Sequence, residues 1–272
     1  MSATGARPEE ARPLRRSRLF WAVADGWVLA KRNLVQIPRI PELLVFATIQ
    51  PVMFVLLFRY VFGGAIDVGG DSYVNYLMAG IFVQTVSFGA VTTGIGLAED
   101  LKRGLVDRFR SLPMSRSAVL TGRTIADLVR NTFVVAVMLL VGLLVGFRPE
   151  AGIFGWAGAV GLLLLLSFSF SWIGATVALL IGSVEAVQSA GFIWLFPLTF
   201  ASSAFVQTDN MPGILRTFAN NQPITLVVDT VRSLLLDQPV GPEGWQALAW
   251  CLGILLVFVP LSVSLYRRVA SR

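Results

Sequence analysis

Histidine is absent from all 272 residues, cysteine occurs once, and the only lysines are Lys31 and Lys102. Without histidine the chain lacks the usual general base, intramembrane proton carrier and metal ligand. A single Cys251 excludes an intrachain disulfide, and its place inside an apolar run assigns it to packing rather than to redox chemistry. The nucleotide-binding pattern GxxxxGK[ST] is missing too, because the two lysines follow Ala30 and Leu101. The chain therefore cannot hold ATP in that way. Charge is scarce: 14% of residues are Asp, Glu, Lys or Arg, against roughly 25% in a soluble domain.

What is abundant is apolar sequence, with 55% hydrophobic residues and a mean hydropathy of +0.72. A helix needs about 20 mainly apolar residues to cross the hydrocarbon core. Six segments qualify: Leu43 to Phe62, Val74 to Ala98, Asn131 to Phe147, Ile153 to Ile181, Ala190 to Val206 and Gln246 to Tyr266. Open sheets are excluded in lipid, and the runs lack the alternation of barrel strands. The expectation is an all-α polytopic membrane protein with six transmembrane helices, its membrane domain covering residues 42–272.

Basic residues set the orientation. Arg7 to Arg39, the loop from Lys102 to Arg130 and the terminal Arg267, Arg268 and Arg272 all fall on one face, whereas the other carries Asp67, Asp71, Glu150, Asp209, Asp229, Asp237 and Glu243. Both termini are expected in the cytoplasm. The basic excess is then a membrane feature, and no nucleic-acid partner is expected. Residues 1–41 read as a cytoplasmic tail without the pattern of a signal peptide, followed by an interfacial helix with Phe20, Trp21 and Trp27 set among cations. Pro38 and Pro41 break that helix before the first span.

Asp, Glu, His and Lys are missing from the centre of every span, which counts against proton or sodium coupling. Arg59 lies near a span end, where it can snorkel, and Asp127 is expected to form a ladder with Arg123 and Arg130. The neutral polar residues read mostly as packing groups. Gln50 and Gln84 are harder to place, because a primary amide in hydrocarbon needs a partner. With Phe54, Phe58, Phe88, Trp194, Phe196 and Phe200 they form a candidate pathway suited to an amphipathic or aromatic molecule rather than an ion. Glu99 and Asp100 are the best acidic pair for a membrane enzyme, but adjacent helical residues diverge and make a poor bidentate site.

The segment EDLKRGLVDRFRSLPMSRSAVLTGR, residues 99–123, is dense in charge between two apolar runs. Leu101, Leu105, Phe109 and Leu112 share one helical side, opposite Lys102, Arg103, Asp107 and Arg110. Pro113 ends this amphipathic helix, and Ser115 or Ser117 caps the next. By pattern alone it is either a lipid-lying connector or a docking helix. Residues 207–243 contain a second amphipathic stretch, Ile224 to Leu235, too short to span.

This arrangement resembles the type-2 ABC exporter permeases, in particular the daunorubicin/doxorubicin-resistance permease group. The most specific match is the loop, with its acidic Glu99 and Asp100, its basic helix from Lys102 to Arg110, the turn Leu112–Pro113, Ser115 with Arg116, and Gly122 with Arg123. The resemblance implies a coupling helix of Gly104, Leu105, Val106, Asp107, Arg108, Phe109, Arg110, Ser111 and Leu112, anchored by Leu105 and Phe109. Its implied partner is a separate ATP-binding subunit, with two permeases and two ATPases per transporter. It also implies a weaker contact at Gly182 to Gln188 and a re-entrant pair within residues 207–243. This chain would bind no metal or cofactor, with ATP and Mg in the partner. The implied function is non-enzymatic: a permease subunit in a bacterial plasma membrane, exporting a hydrophobic or amphipathic drug, natural product or lipid-linked molecule. A permease for polysaccharide or glycolipid, or an ion-coupled transporter, is the alternative.

Overall fold

A computed structural model describes residues 41–63, 72–104 and 116–269. These form eight α-helices and no strand: α1 (Pro41–Leu56), continued by a π-helical turn (Leu57–Phe62), α2 (Tyr73–Lys102), α3 (Arg116–Val145), α4 (Ile153–Ile181), α5 (Val184–Phe200), α6 (Gly213–Asn221), α7 (Pro223–Leu235) and α8 (Glu243–Val269). A short 3-10 turn, Thr208–Asn210, precedes α6. The interfacial helix expected within residues 1–41 lies outside the described residues.

Four helices are long and apolar enough to cross a membrane: α2, α3 from Leu120 onward, α4 and α8. The segment Thr48–Phe62 and α5 are apolar but shorter. The stretch expected as a span from Ala190 to Val206 is displaced toward the N-terminus, for α5 starts at Val184 and stops at Phe200. Its start follows from local capping. Gly182 takes a positive φ of 78° to close α4, and Ser183 Oγ accepts from the Ala186 amide at 3.4 Å. The loop expected at Gly182 to Gln188 thus contracts to Gly182 and Ser183.

Helix α2 is the axis of the bundle, buried along most of its length and packed against α3, α4, α5 and α7. Its contact with α4 is backbone to backbone. A Cβ on Gly94 would lie 2.9 Å from the Gly174 carbonyl oxygen, and one on Gly174 would collide with the Ala90 carbonyl. Small residues permit such an approach where dispersion rather than hydrophobic exclusion holds helices together. Hydroxyls and amides then bond across helices. Thr93 Oγ1 donates to Ser171 Oγ at 3.3 Å, Asn131 Nδ2 to Ser167 Oγ at 2.8 Å, and Thr176 and Ser262 share a hydrogen bond of 2.6 Å. Cys251 is fully buried, in keeping with a packing role.

The two ends of the bundle collect different loops. At one, the Arg148 amide donates to Asn75 Oδ1 at 3.0 Å, and the Glu150 amide to the Leu235 carbonyl at 3.0 Å. At the other, Leu97, Leu120, Trp172, Val187 and Tyr266 pack in one cluster. Among the described residues, the end of α2, the start of α3 and the end of α8 thus meet at this second end. Helix α7 carries the apolar stripe expected over Ile224 to Leu235 and is too short to span. Ile224 to Val228, Thr230, Val231 and Leu235 are all buried, because α7 inserts against α2, α4 and α8. By contrast α6 leaves Ile214, Leu215 and Phe218 exposed.

Candidate functional site

One face of α2 carries Gln84, Phe88, Thr92 and Ile95 at helical spacing. It meets Gln50 and Pro51 of α1, Arg130, Asn131 and Val134 of α3, and Gln188 and Phe192 of α5 around a cavity of about 170 Å³. Gln50, Gln84 and Phe88 are thus brought together as the sequence suggests. Arg130, Asn131, Gln188 and Phe192 join them without having been singled out for the pathway.

Asn131 is held over Gly89, where any Cβ would collide with its amide, and it is committed to Ser167. Thr85 donates to the Ile81 carbonyl at 2.7 Å. Two donors remain unspent. Gln84 is 3% exposed and its Nε2 has no partner among the described residues. Arg130 gives Nη1 to Asp127 at 3.2 Å, while its buried Nη2 has no acceptor among them. Asp127 therefore pairs with Arg130 alone. The other expected rung of that ladder is corrected, because Arg123 turns away to Asp100.

From this cavity a row of phenylalanines leads to the Gly63 end of α1. Phe88 lies 5.8 Å from Phe192 and 5.7 Å from Phe196, ring centre to ring centre. Phe196 stacks on Phe200 at 5.4 Å, and Phe200 meets Phe205 at 5.4 Å. Phe205 stacks on Phe58 at 4.5 Å, and Phe58 touches Phe62 at 5.3 Å. Phe54 borders the row through Phe58, Phe200 and Phe205. All these separations suit attractive ring geometry. Phe196 and Phe200 are each 41% exposed, so the row is open along one side. Trp194 is not part of it; it sits on another face of α5, edge-on to Phe170 at 5.4 Å.

The two i, i+4, i+8 sets, Phe54–Phe58–Phe62 and Phe192–Phe196–Phe200, are visible in the sequence and are the signal by which Phe62 and Phe192 could have been found. Phe205 has no such signal. It lies in the non-helical turn after α5, in which Ala204 and Phe205 are buried.

That buried turn needs partners for its backbone. Tyr76 Oη donates to the Ser203 carbonyl at 2.8 Å, Tyr73 Oη to that of Phe205 at 3.1 Å, and Arg232 Nη2 also reaches Ser203 at 2.8 Å. Arg232 lies 3.6 Å from the Tyr76 ring centre and pairs with Asp229 at 2.7 Å, while Ser203 Oγ donates to the same carboxylate at 2.7 Å. Gln222 Nε2 donates to the Leu198 carbonyl at 2.7 Å. Arg232 and Asp229 thus fasten α7 to α2 and to the end of α5.

At the opposite end of α2, Asp100 accepts from Arg123 Nη1 at 2.7 Å. The arginine lies over Gly96, where a Cβ would collide with the guanidinium. Glu99 makes an exposed pair with Arg103 at 3.4 Å. The two acids therefore have separate cationic partners and do not converge on one site. Gly104 ends the helix with φ +67°. Of the expected coupling residues only Gly104 is described; Leu105 to Leu112 lie outside the described residues. No group of three or more potential metal ligands occurs among the described residues.

The sequence profile of the ABC-2 type transporter family matches residues 25–236. The daunorubicin resistance ABC transporter permease protein DrrB1 of Streptomyces coeruleorubidus is 33% identical over 256 residues, 94% of this chain and 89% of that protein. The probable doxorubicin resistance ABC transporter permease protein DrrC of Mycobacterium tuberculosis is 26% identical over 263 residues, 94% of this chain and 92% of that protein. A putative transport permease, ycf38, of Cyanophora paradoxa is 25% identical over 221 residues, 79% and 75% of the two chains.

Proposed function

This chain belongs to the ABC-2 type transporter family, and from that premise we propose that it is the permease subunit of an ATP-driven exporter for hydrophobic or amphipathic molecules. The observation that carries the substrate class is the row of phenylalanines, continuous from the cavity at Gln84 to Phe62 and open on one side. Rings of this kind offer dispersion and weak quadrupolar attraction at every step but no fixed charge to trap a cargo. An amphipathic molecule can therefore travel along them.

Energy comes from a separate ATP-binding subunit, in two copies with two copies of this chain. The coupling segment, Gly104 to Leu112, docks on that subunit. Asp100–Arg123 ties the ends of α2 and α3 together, so a push on the loop moves both helices. In this reading α1, α2, α3, α4, α5 and α8 cross a bacterial plasma membrane with both termini in the cytoplasm, and α6 and α7 form a re-entrant pair on the outer side. The polysaccharide alternative gains from the continuity of the row. It loses because every member is phenylalanine, with no ring hydroxyl or indole N–H to bond sugar hydroxyls.

The test is co-expression with the ATP-binding subunit and measurement of ATP hydrolysis stimulated by amphipathic aromatic compounds. Proline substitutions within Gly104 to Leu112 are expected to abolish stimulation, and Phe196→Ala with Phe200→Ala to weaken it. Full stimulation in the proline variants would sink the coupling assignment.

A further inference from the structure

We propose that the cavity at Gln84 and Arg130 is a headgroup subsite, selecting amphipathic molecules that present a carbonyl or carboxylate oxygen. This rests on the exporter reading and specifies its substrate chemistry. Gln84 Nε2 and Arg130 Nη2 are buried donors in the walls of one cavity, and neither has an acceptor among the described residues. Water or a ligand oxygen must satisfy such groups. No side chain on the cavity wall accepts from either of them among the described residues. Behind the wall Asp127 Oδ1 takes Arg130 Nη1, and its Oδ2 is likewise buried without a partner among the described residues, so this ion pair leaves one donor and one acceptor open.

The walls are asymmetric in charge. Arg130 lines the cavity and no carboxylate does, so an ammonium headgroup finds no counter-ion there while an oxygen acceptor finds two donors. Phe88 and Phe192 stand on the same walls, so a ring attached to that oxygen meets the first members of the phenylalanine row. Size limits what enters. About 170 Å³ is below the ~300–1,000 Å³ of a complete drug-sized site. The cavity therefore takes a headgroup with its attached ring, and the rest of the molecule follows the open side of the row.

A matched set of probes tests this: anthraquinone, 9-anthracenecarboxylate, 9-(aminomethyl)anthracene and anthracene. Saturable binding to the full-length chain in lipid nanodiscs is measured with empty nanodiscs subtracted. The quinone, the carboxylate or both are expected to bind at least about tenfold tighter than the amine and the hydrocarbon. Preference for the quinone alone identifies a neutral carbonyl as the ligand, and preference for the carboxylate alone an anion. Gln84→Met, and independently Asp127→Asn with Arg130→Met, are expected to cut the preference at least fivefold. Anthracene affinity, which depends on the rings, should stay within twofold and so reports an intact fold. Equal affinity for all four probes in the wild type, or a preference that survives in both variants, overturns the headgroup subsite and leaves the exporter reading standing. Absence of saturable binding by every probe overturns the headgroup subsite together with the cavity's place in the pathway.

Discussion

At the scale of single residues, Arg232 carries more contacts of different kinds than any loop charge would. It pairs with Asp229, lies on the Tyr76 ring, and donates to the carbonyls of Tyr76 and Ser203. Removing one partner of a largely buried pair leaves the other charge stranded, at a cost on the order of 3 kcal/mol. Arg232→Ala should lower the unfolding free energy of the detergent-solubilised chain by that order, read as a lower midpoint in a denaturant titration. Arg232→Lys should recover only a minority of the loss, because an ammonium cannot stack and fork at once; full recovery would show that charge alone matters. At the other end, Asp100→Asn and Arg123→Gln should each reduce ligand-stimulated ATP hydrolysis in the assembled transporter, and the exchange Asp100→Arg with Arg123→Asp should restore part of it. Equal loss in the singles and the exchange would deny the pair any part in coupling. Some of this was legible from sequence: Gln84 and Gln50 stand out as amides in hydrocarbon. Arg130 did not, because its spacing to Asp127 already provided an explanation for it. Phe205 could not be found, since its neighbours in space come from α1 and α5 and no periodicity surrounds it.

Among the helices, the approach of α2 to α4 depends on Gly94 and Gly174, where backbones touch. A side chain at Gly174 must push against the Ala90 carbonyl, which is held in its own helix and cannot swing aside. Gly174→Val is expected to destabilise the chain by at least about 2 kcal/mol, read as a lower melting temperature in detergent; an unchanged melting temperature would mean that the helices separate freely. The apolar runs locate α2, α4 and α8, whereas α3 starts at Arg116, well before the run expected from Asn131. Helix α5 was misplaced because its apolar content continues past Phe200, so hydropathy cannot see where the hydrogen-bond ladder stops. Its start was legible in principle: Gly182 and Ser183, followed by the acidic Glu185, make a standard stop and start. The apolar stripe of α7 is legible as a period; that α2, α4 and α8 wall it in is not. The sequence shows which residues of α7 are apolar; Thr230 bonds back to the Leu226 carbonyl of its own helix, but Thr225 and Asp229 are satisfied by Ser203, a partner that only the fold supplies.

For the whole molecule, Lys102 and Arg103 at the end of α2, Arg123 on α3 and Arg267 at the end of α8 lie toward one end of the bundle among the described residues. This grouping predicts a labelling pattern. Single cysteines introduced at Arg103 and Ser183, both exposed near the basic end, should react with an impermeant maleimide only after the cells are opened. A cysteine at exposed Gln238 should react in intact cells. Cys251 is 0% exposed and should stay unlabelled without being replaced. Reaction at Arg103 from outside would reverse the orientation. The burial of α7 also bears on how the chain is made. A helix of 13 residues, Pro223–Leu235, is too short to be threaded across a bilayer as a segment in its own right, yet it is walled in by α2, α4 and α8. Helix α8 follows α7 in the chain, so the wall that α8 supplies is absent while α7 is being made. In the proposed topology α7 is therefore enclosed only after α8 has packed, and the Arg232–Asp229–Ser203 contacts close with it.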